Sequence, residues 1–524
     1  MNLQLIIALC VLMLGASTCD GYNVLIHHSF GTKSHLIQMS PMVEGLLNNG
    51  HTVTAVIFDT LKIKQENYTE IVVPNGLDKP SAVIGKIFME DGGKDILGTI
   101  NKFLRIAKKA NEAWASAFED VALQQLKVDK FQTLMNSDKK FDLLITSVFY
   151  HTGAFLADKY DCPIMLVSPP GPISFVMDRT GNTINLSVQP SSMTRYIEPL
   201  SFLQRIENHM ARFGELTWMK WLANSVNEYL HQELGKHTRH SHDIIRDRLS
   251  VILSASHPVT HGAWPYLPNF IELGGLHLRG PKTLPEDLKK FMDSATEGVV
   301  LVSFGSSLKP GDMPEEKLAT FLETFKRLNM SVIWKWDSVI PDLPQNVITK
   351  SWLPQQDLLG HPNLKVFVTH GGLGSVMEAI YHKTVLVGVP LMNDQIPNLL
   401  RAAKHGYART LKWDTLTADE LTDAITAGVE DKSMQSAIER IHNLYVDRQQ
   451  KPVDSAVWWI EYVCRHGGAE ILQSHLAEEA PWYQYHHIDV LLFIITVLCV
   501  LISVMVIVCC TCYKCCCKRK LKTE

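Results

Sequence analysis

KVFVTHGGLGSVMEA, residues 365–379, is the stretch on which the fold turns. Its first residues are mostly apolar and run straight into Thr369 and His370. An apolar run without alternation is what a strand buried on both faces of a parallel sheet presents. Gly371, Gly372 and Gly374 follow, and from Ser375 the chain reads as a helix with Glu378 in its first turn. Two readings stay open at this point. Ser375 and Glu378 make the S-x-x-E pattern of a capping box. Alternatively, glycines that admit a ligand to the backbone, followed by a helix N-terminus with unpaired N–H groups, make a phosphate cradle.

The same alternation surrounds it. Upstream, GVVLVSFGSS (298–307) is a strand entering a turn, PEEKLATFLETFKRL (314–328) a helix, and SVIWKW (331–336) and NVITKSWLP (346–354) strands. Downstream, TVLVGVP (384–390) is another strand, and 416–472 reads as helices. Strands interleaved with helices predict an α/β domain with a parallel sheet. The chain changes character at GGLHLRGPKTLPEDLKKF (274–291), which reads as a linker. Before it lies a second α/β series. YNVLIHHSF (22–30), a turn GTKS (31–34), a helix HLIQMSPMVEGLLNNG (35–50) and HTVTAVIF (51–58) make a βαβ unit. FDLLITSVF (141–149) and PIMLVSPP (163–170) add strands, and 99–126 and 215–248 read as long helices.

A chain of 524 residues predicts at least two domains, and its net charge of −4 argues against a nucleic-acid partner. Residues 3–16 are apolar and precede small residues, the pattern of a secretory signal peptide over 1–19. Residues 490–510 carry no charge and suffice for a transmembrane helix. Lys514, Lys518, Arg519, Lys520 and Lys522 follow, so the tail is expected in the cytosol and the body in the lumen. The ending KLKTE resembles a dilysine retrieval signal, which implies the endoplasmic reticulum membrane and a single-pass type I topology. Seven of the 11 cysteines lie in or after the span, and with two in the leader only Cys162 and Cys464 remain for the body. The body is therefore not a disulfide scaffold. Asn67, Asn185 and Asn329 head glycosylation sequons.

Ligands of open α/β sheets bind beyond the carboxyl ends of the strands. Polar groups suited to one ligand gather there: Ser306 after one strand, Trp352 and Gln355 after another, His370 and Glu378 in the opening stretch, and Asp394 and Gln395 after the last. An indole stacks on a base, a carboxylate accepts from ribose hydroxyls, and an Asp-Gln pair reads sugar hydroxyls.

These motifs, in this order, resemble the signature of the UDP-glycosyltransferase family, in particular its animal membrane-bound UDP-glucuronosyl and UDP-glucosyltransferase type. The resemblance runs from GTKSH through WLPQQDLLGHPNLKVFVTHGG to DSAVWWIEYVCRHGGA, the span and the basic tail. It implies a GT-B fold, two Rossmann-like domains facing a cleft: an acceptor domain over 20–275 and a UDP-sugar domain over 276–440. Helices and a membrane-proximal segment over 441–487, the span over 488–511 and the tail over 512–524 follow. It implies Trp352 stacked on uracil, Gln355 on the nucleoside, Ser306 and His370 on the diphosphate beside Gly371, Gly372, Gly374 and Ser375, and Glu378 on the ribose. Asp394 and Gln395 fall on the donor sugar. Lys335 falls where a basic residue lines the donor side, though as a strand residue it is equally readable as a solvated lysine.

His35 matches the catalytic base of the family, which implies inverting transfer of a hexosyl group to a hydroxyl of a small lipophilic acceptor. The sequence contains no D-x-D, in keeping with a transfer that needs no metal and no cofactor beyond the UDP-sugar co-substrate. Glucose is favoured as the donor sugar because the sequence is invertebrate-like, with glucuronate the alternative. The implied partners are the UDP-sugar, the acceptor, the membrane and related transferases in a homo- or hetero-oligomer. Three positions depart from the family pattern. Gly374 replaces an Asn, Lys383-Thr384-Val385 replaces Gly-Val-Pro, and Ser147 stands where an Asp usually supports the catalytic His. Ser147 keeps alive a second reading, a weak or inactive member that binds UDP-sugar or a lipophile.

Overall fold

The computed structural model describes residues 21–75, 112–114, 116–177, 180–182, 184–192, 194–305, 313–391, 394–474 and 480–520. The leader, Ser306 and residues 99–111 and 115 of the helix expected over 99–126 lie outside the described residues.

Residues up to Gln473 form one compact unit and those from Ser474 another. The first unit holds two fully parallel sheets. Sheet one contains β1 (Asn23–His28), β2 (Thr52–Ile57), β3 (Tyr68–Val72), β4 (Leu143–Ser147), β5 (Ile164–Ser168), β6 (Leu249–Ser254) and β7 (Phe270–Glu272). Their order is β3-β2-β1-β4-β5-β6-β7. Sheet two contains β8 (Val299–Ser303), β9 (Ser331–Lys335), β10 (Val347–Lys350), β11 (Leu364–Thr369), β12 (Val385–Gly388) and β13 (Ala408–Thr410), ordered β10-β9-β8-β11-β12-β13. Each sheet starts in its middle and grows both ways, the doubly wound topology.

Alternate residues of each strand feed separate cores. Val24 and Ile26 face one side of sheet one with Leu143, Ile145, Val251 and Leu253, whereas Leu25 faces the other with Val56, Leu144 and Ile252. In sheet two Val300 and Val302 pack with Trp334, and Leu301 packs with Phe367 and Leu386. Burial on both faces explains why these strands read as continuous apolar runs.

The helices that bear on function are α1 (Lys33–Asn48), α2 (Phe202–Leu234), α3 (Gln355–Leu359), α4 (Leu373–His382), α5 (Gln395–Lys404), α6 (Pro452–His466) and α7 (Ile488–Lys520). The stretch read as helical over 215–248 is two helices. α2 stops at Gly235, which takes φ +96°, and a second helix spans Ser241–Arg248. α6 returns from sheet two to the first half. Its Ala456, Val457, Ile460 and Val463 join the core under α1 and sheet one, and Glu461 accepts from Asn49 and meets the His51 ring at 3.1 Å.

In the second unit α7 contains an apolar stretch, Ile488–Lys514, in which an 18-residue window reaches a mean hydropathy of 3.3. At 1.5 Å per residue its 27 residues reach about 40 Å, enough to cross a bilayer.

Candidate active site

Each sheet reverses its strand order at its first strand, so the switch points fall between β1 and β4 and between β8 and β11. His35 and Ser147 belong to the first, and His370 to the second.

At the second, His370 leaves β11 with its ring held between two glycines. A Cβ on Gly305 would come within 2.8 Å of the ring and one on Gly372 within 2.9 Å. Burial, with Lys335 nearby, lowers the His370 pKa to about 4, so the ring is neutral near pH 7. Gly371 takes φ +85° and turns the chain into α4. The residue at the N-cap is Gly372, and no side chain caps the helix. The expected capping box is therefore absent. The helix starts two residues before Ser375, so Ser375 sits inside its first turn and Glu378 in its second. Gln355 Nε2 binds both, donating to Ser375 Oγ at 3.0 Å and to the Glu378 carboxylate. The uncapped N–H groups of α4 remain available to an anion.

Lys335 is half-buried at the end of β9 and donates to the Gly305 carbonyl at 2.8 Å. Burial lowers its pKa. Its ammonium lies 5.3 Å from the centre of the Trp352 ring. That placement differs from a solvated strand lysine. The Trp352 indole is 57% exposed. Lys33, at the start of α1, lies 5.4 Å from the same ring and is paired with Asp59 at 3.2 Å. The two halves of the body thus meet at Trp352.

Asp394 precedes α5 and accepts from Asn398 Nδ2 at 3.0 Å, and the same amide donates to the Gly371 carbonyl at 3.1 Å. Burial pushes the Asp394 carboxyl up to about 6. Gln395 is buried and accepts from the Leu391 N–H at 2.9 Å. Asp357, beside Gln355 in sequence, turns away from this group. It pairs with Arg279 and accepts from the Lys282 N–H, clamping the linker to α3.

On the acceptor side His35 sits in the first turn of α1 with Nδ1 buried and without a hydrogen-bond partner. Burial lowers its pKa to about 4. His28, closing β1, is fully buried, and its ring centre lies 6.1 Å from that of His35. Gly31 lies between them: a Cβ there would come within 2.8 Å of His28 Nε2 and 3.0 Å of His35 Nδ1. Ser147 ends β4, buried, with its hydroxyl accepting from the Phe149 N–H at 3.2 Å.

Sequence reasoning missed Lys33, which it read as part of a turn, and also His28 and Asn398. Of the sequon residues, Asn185 and Asn329 are exposed. The Asn67 amide instead donates to the carbonyls of Leu47 at 3.1 Å and His51 at 2.7 Å, bonds that a glycan would have to displace.

A family profile described as "UDP-glucoronosyl and UDP-glucosyl transferase" matches residues 25–523. The UDP-glycosyltransferase UGT5 of Dactylopius coccus is 31% identical over 496 residues, covering 92% of this chain and 90% of its own. The UDP-glucuronosyltransferase 2A1 of Mus musculus is 30% identical over 525 residues, covering 97% and 96%. Among solved structures the glycotransferase of kitacinnamycin superposes with a TM-score of 0.55 at 18% identity, covering 84% of this chain and 99% of its own. That likeness fixes the fold as GT-B. The chain belongs to the UDP-glycosyltransferase family and is a glycosyltransferase that uses a UDP-sugar.

Proposed function

We propose that the enzyme transfers a hexosyl group from UDP-glucose, with UDP-glucuronate the alternative donor, to a hydroxyl of a small lipophilic acceptor, with inversion. The observation that carries this reading is the meeting of Lys33 and Lys335 over Trp352. It brings the helix that bears His35 to the place where an indole can stack on uracil.

The chemistry follows from the groups assembled. His35 is neutral near pH 7 and takes the proton of the acceptor hydroxyl as its oxygen attacks the anomeric carbon. The bond from that carbon to the diphosphate breaks, and the UDP oxygen carries away the electron pair. His370 and the N–H groups opening α4 meet the growing negative charge. Glu378, held by Gln355, accepts from the ribose, and Asp394 and Gln395 accept from or donate to the sugar hydroxyls. The chain needs no metal in this scheme, since N–H groups and Lys335 face the diphosphate. The apolar stretch supports a membrane anchor, and the basic residues after it and the KLKTE ending support the endoplasmic reticulum with the body in the lumen.

A second reading, a weak or inactive member that retains UDP-sugar binding, draws on one observation. His35 Nδ1 has no partner, and the Ser147 hydroxyl is engaged elsewhere. One experiment separates them. Microsomes carrying the wild type or His35→Ala are given UDP-glucose, UDP-glucuronate and UDP-N-acetylglucosamine with a panel of phenols. The proposal expects transfer from UDP-glucose that His35→Ala abolishes. Equal transfer by both proteins removes His35 as the base.

A further inference from the structure

Gly374, where many members of the family carry Asn, occupies the second position of α4. Its missing side chain leaves room that two other residues border. A Cβ built on Gly374 would lie 3.6 Å from Gln38 Nε2 and 3.7 Å from His277 Nε2, ordinary van der Waals distances. The two come from different parts of the chain. Gln38 is on α1, one helical turn beyond His35, and His277 is in the linker after β7. Both are only 6% exposed.

His277 is an unusual buried group. Neither of its ring nitrogens has a hydrogen-bond partner, and Nε2 stands 3.5 Å from Glu378 Oε1. A polar ring buried without partners costs stability, so its retention calls for a reason. The ring does not sit there by default. Gln356 Nε2 donates to the His277 carbonyl at 3.0 Å, Gln356 Oε1 accepts from the Arg279 N–H at 3.1 Å, and Asp357 holds Arg279. A Cβ on Gly274 would meet the Ser256 carbonyl oxygen at 2.7 Å, which keeps the linker close to sheet one. The loop is built to hold this ring beside the opening of α4.

We propose that Gln38 and His277 are donor-site residues that donate hydrogen bonds to the diphosphate of UDP beside Gly374, in the place an Asn side chain would serve. The assignment rests on the UDP-sugar site described above. The side-chain amide of Gln38 and the ring of His277 each supply an N–H, and α4 supplies uncapped backbone N–H groups. Negative oxygens are a ligand this set suits, because each of the three can turn an N–H towards them. Gln38 adds a mechanical consequence. It lies on the same face of α1 as His35, so a diphosphate held by Gln38 also draws the base towards the anomeric carbon.

The test is the affinity of the detergent-solubilised full-length chain for UDP and for uridine, which lacks phosphate. Gln38→Leu weakens UDP by about tenfold, the loss of one hydrogen bond to a charged group, and leaves uridine unchanged. Gln38→Glu weakens UDP further, by repulsion, which a role in packing alone does not produce. Adding Gly374→Asn to Gln38→Leu restores most of the loss, since its amide donates from the same place. Trp352→Ala, which removes the stacking surface, weakens both ligands and checks the underlying site. If Trp352→Ala weakens UDP and Gln38→Leu does not, the Gln38 assignment fails and the site stands. If Trp352→Ala leaves UDP unchanged, the site itself fails. Equal loss of UDP and uridine in Gln38→Leu moves the contact to the nucleoside and overturns the diphosphate assignment. Thermal unfolding of each variant identifies any that fail to fold, and His277→Gln, which keeps a donor, then serves as the second probe, with UDP affinity retained where His277→Ala loses it.

Discussion

A base in this reaction must begin neutral, and burial favours that state for His35, the residue proposed for the role. The harder moment comes later, when the ring has taken a proton in a site that disfavours charge. Ser147 offers no charge there, and its hydroxyl serves the turn at Phe149. Two outcomes separate these roles. His35→Ala lowers kcat by about 10²–10⁴-fold, the range of a general base, while UDP affinity is retained. Ser147→Ala keeps kcat within about fivefold, because the bond it loses steadies a turn and not the transition state. A loss in Ser147→Ala approaching that of His35→Ala would show that Ser147 orients the base after all. Asp394 makes the opposite case. Its carboxyl titrates near pH 6, so below that it becomes protonated and loses half its capacity to accept from sugar hydroxyls. The kcat/KM for the UDP-sugar should fall as pH drops through about 6, and Asp394→Asn should remove that limb. A limb that persists unchanged in Asp394→Asn belongs to another group.

At the scale of the element, the turn into α4 separates two demands on glycine. Gly371 needs its conformation: φ is +85°, and a Cβ would approach Leu399 Cγ to 2.4 Å. Gly371→Ala should cost about 1–3 kcal/mol and lower the melting temperature. Gly372 has φ −57°, which any residue adopts, but its Cβ would press on His370 Nε2 at 2.9 Å. Gly372→Ala should keep the melting temperature near wild type and lower kcat/KM. The reverse pattern would mean that the ring is free to move and the backbone is not. At the other end of α4, Lys383 takes φ +61°, a left-handed conformation that glycine adopts without strain. Lys383→Gly should therefore raise stability, by about 1 kcal/mol, in chemical unfolding. The same elements show what the sequence could reveal. Buried parallel strands such as Val299–Ser303 and Leu364–Thr369 were legible because an unbroken apolar run closed by a glycine turn has few other uses. β6 was passed over because Leu249 follows the helix ending at Arg248 with no turn residue to mark the change. The start of α4 was misplaced because S-x-x-E outweighed Gly372, which caps a helix without a side chain to announce it. Residues aligned with the family signature could be named one by one. Gln38 and His277 could not, since their meeting at Gly374 depends on how two distant segments pack.

Over the whole molecule, the buried histidines set a common dependence on pH. Burial lowers His27, His35 and His370 to about 4, His261 to about 3, and His28 well below its usual value. In the unfolded chain each titrates near 6.5. Between pH 6.5 and about 4 the unfolded chain therefore binds more protons than the folded one, and stability falls as pH falls. The contribution is complete above 6.5 and is lost progressively towards 4. Asp394 and Glu272 act in the other direction, because burial raises both carboxyls and folding then favours the protonated form. Burial also lowers His257, His382 and His405 and also raises Glu119, so among the described residues the lowered rings outnumber the raised carboxyls and the histidines set the balance. The five rings named first line β1, the start of α1, the end of β11 and the edge of the acceptor half, so acid loosens the places where catalysis is assembled. The melting temperature of the solubilised chain should accordingly be highest near or above pH 7 and should drop by several degrees at pH 5. The drop should shrink when UDP is bound, because a diphosphate beside His370 favours its protonated form and brings its folded-state pKa back towards the unfolded value. A melting temperature that stays level from pH 7 to pH 5 would mean that these rings take up protons in the folded state, and that the neutral His35 on which the mechanism depends is not secured by burial.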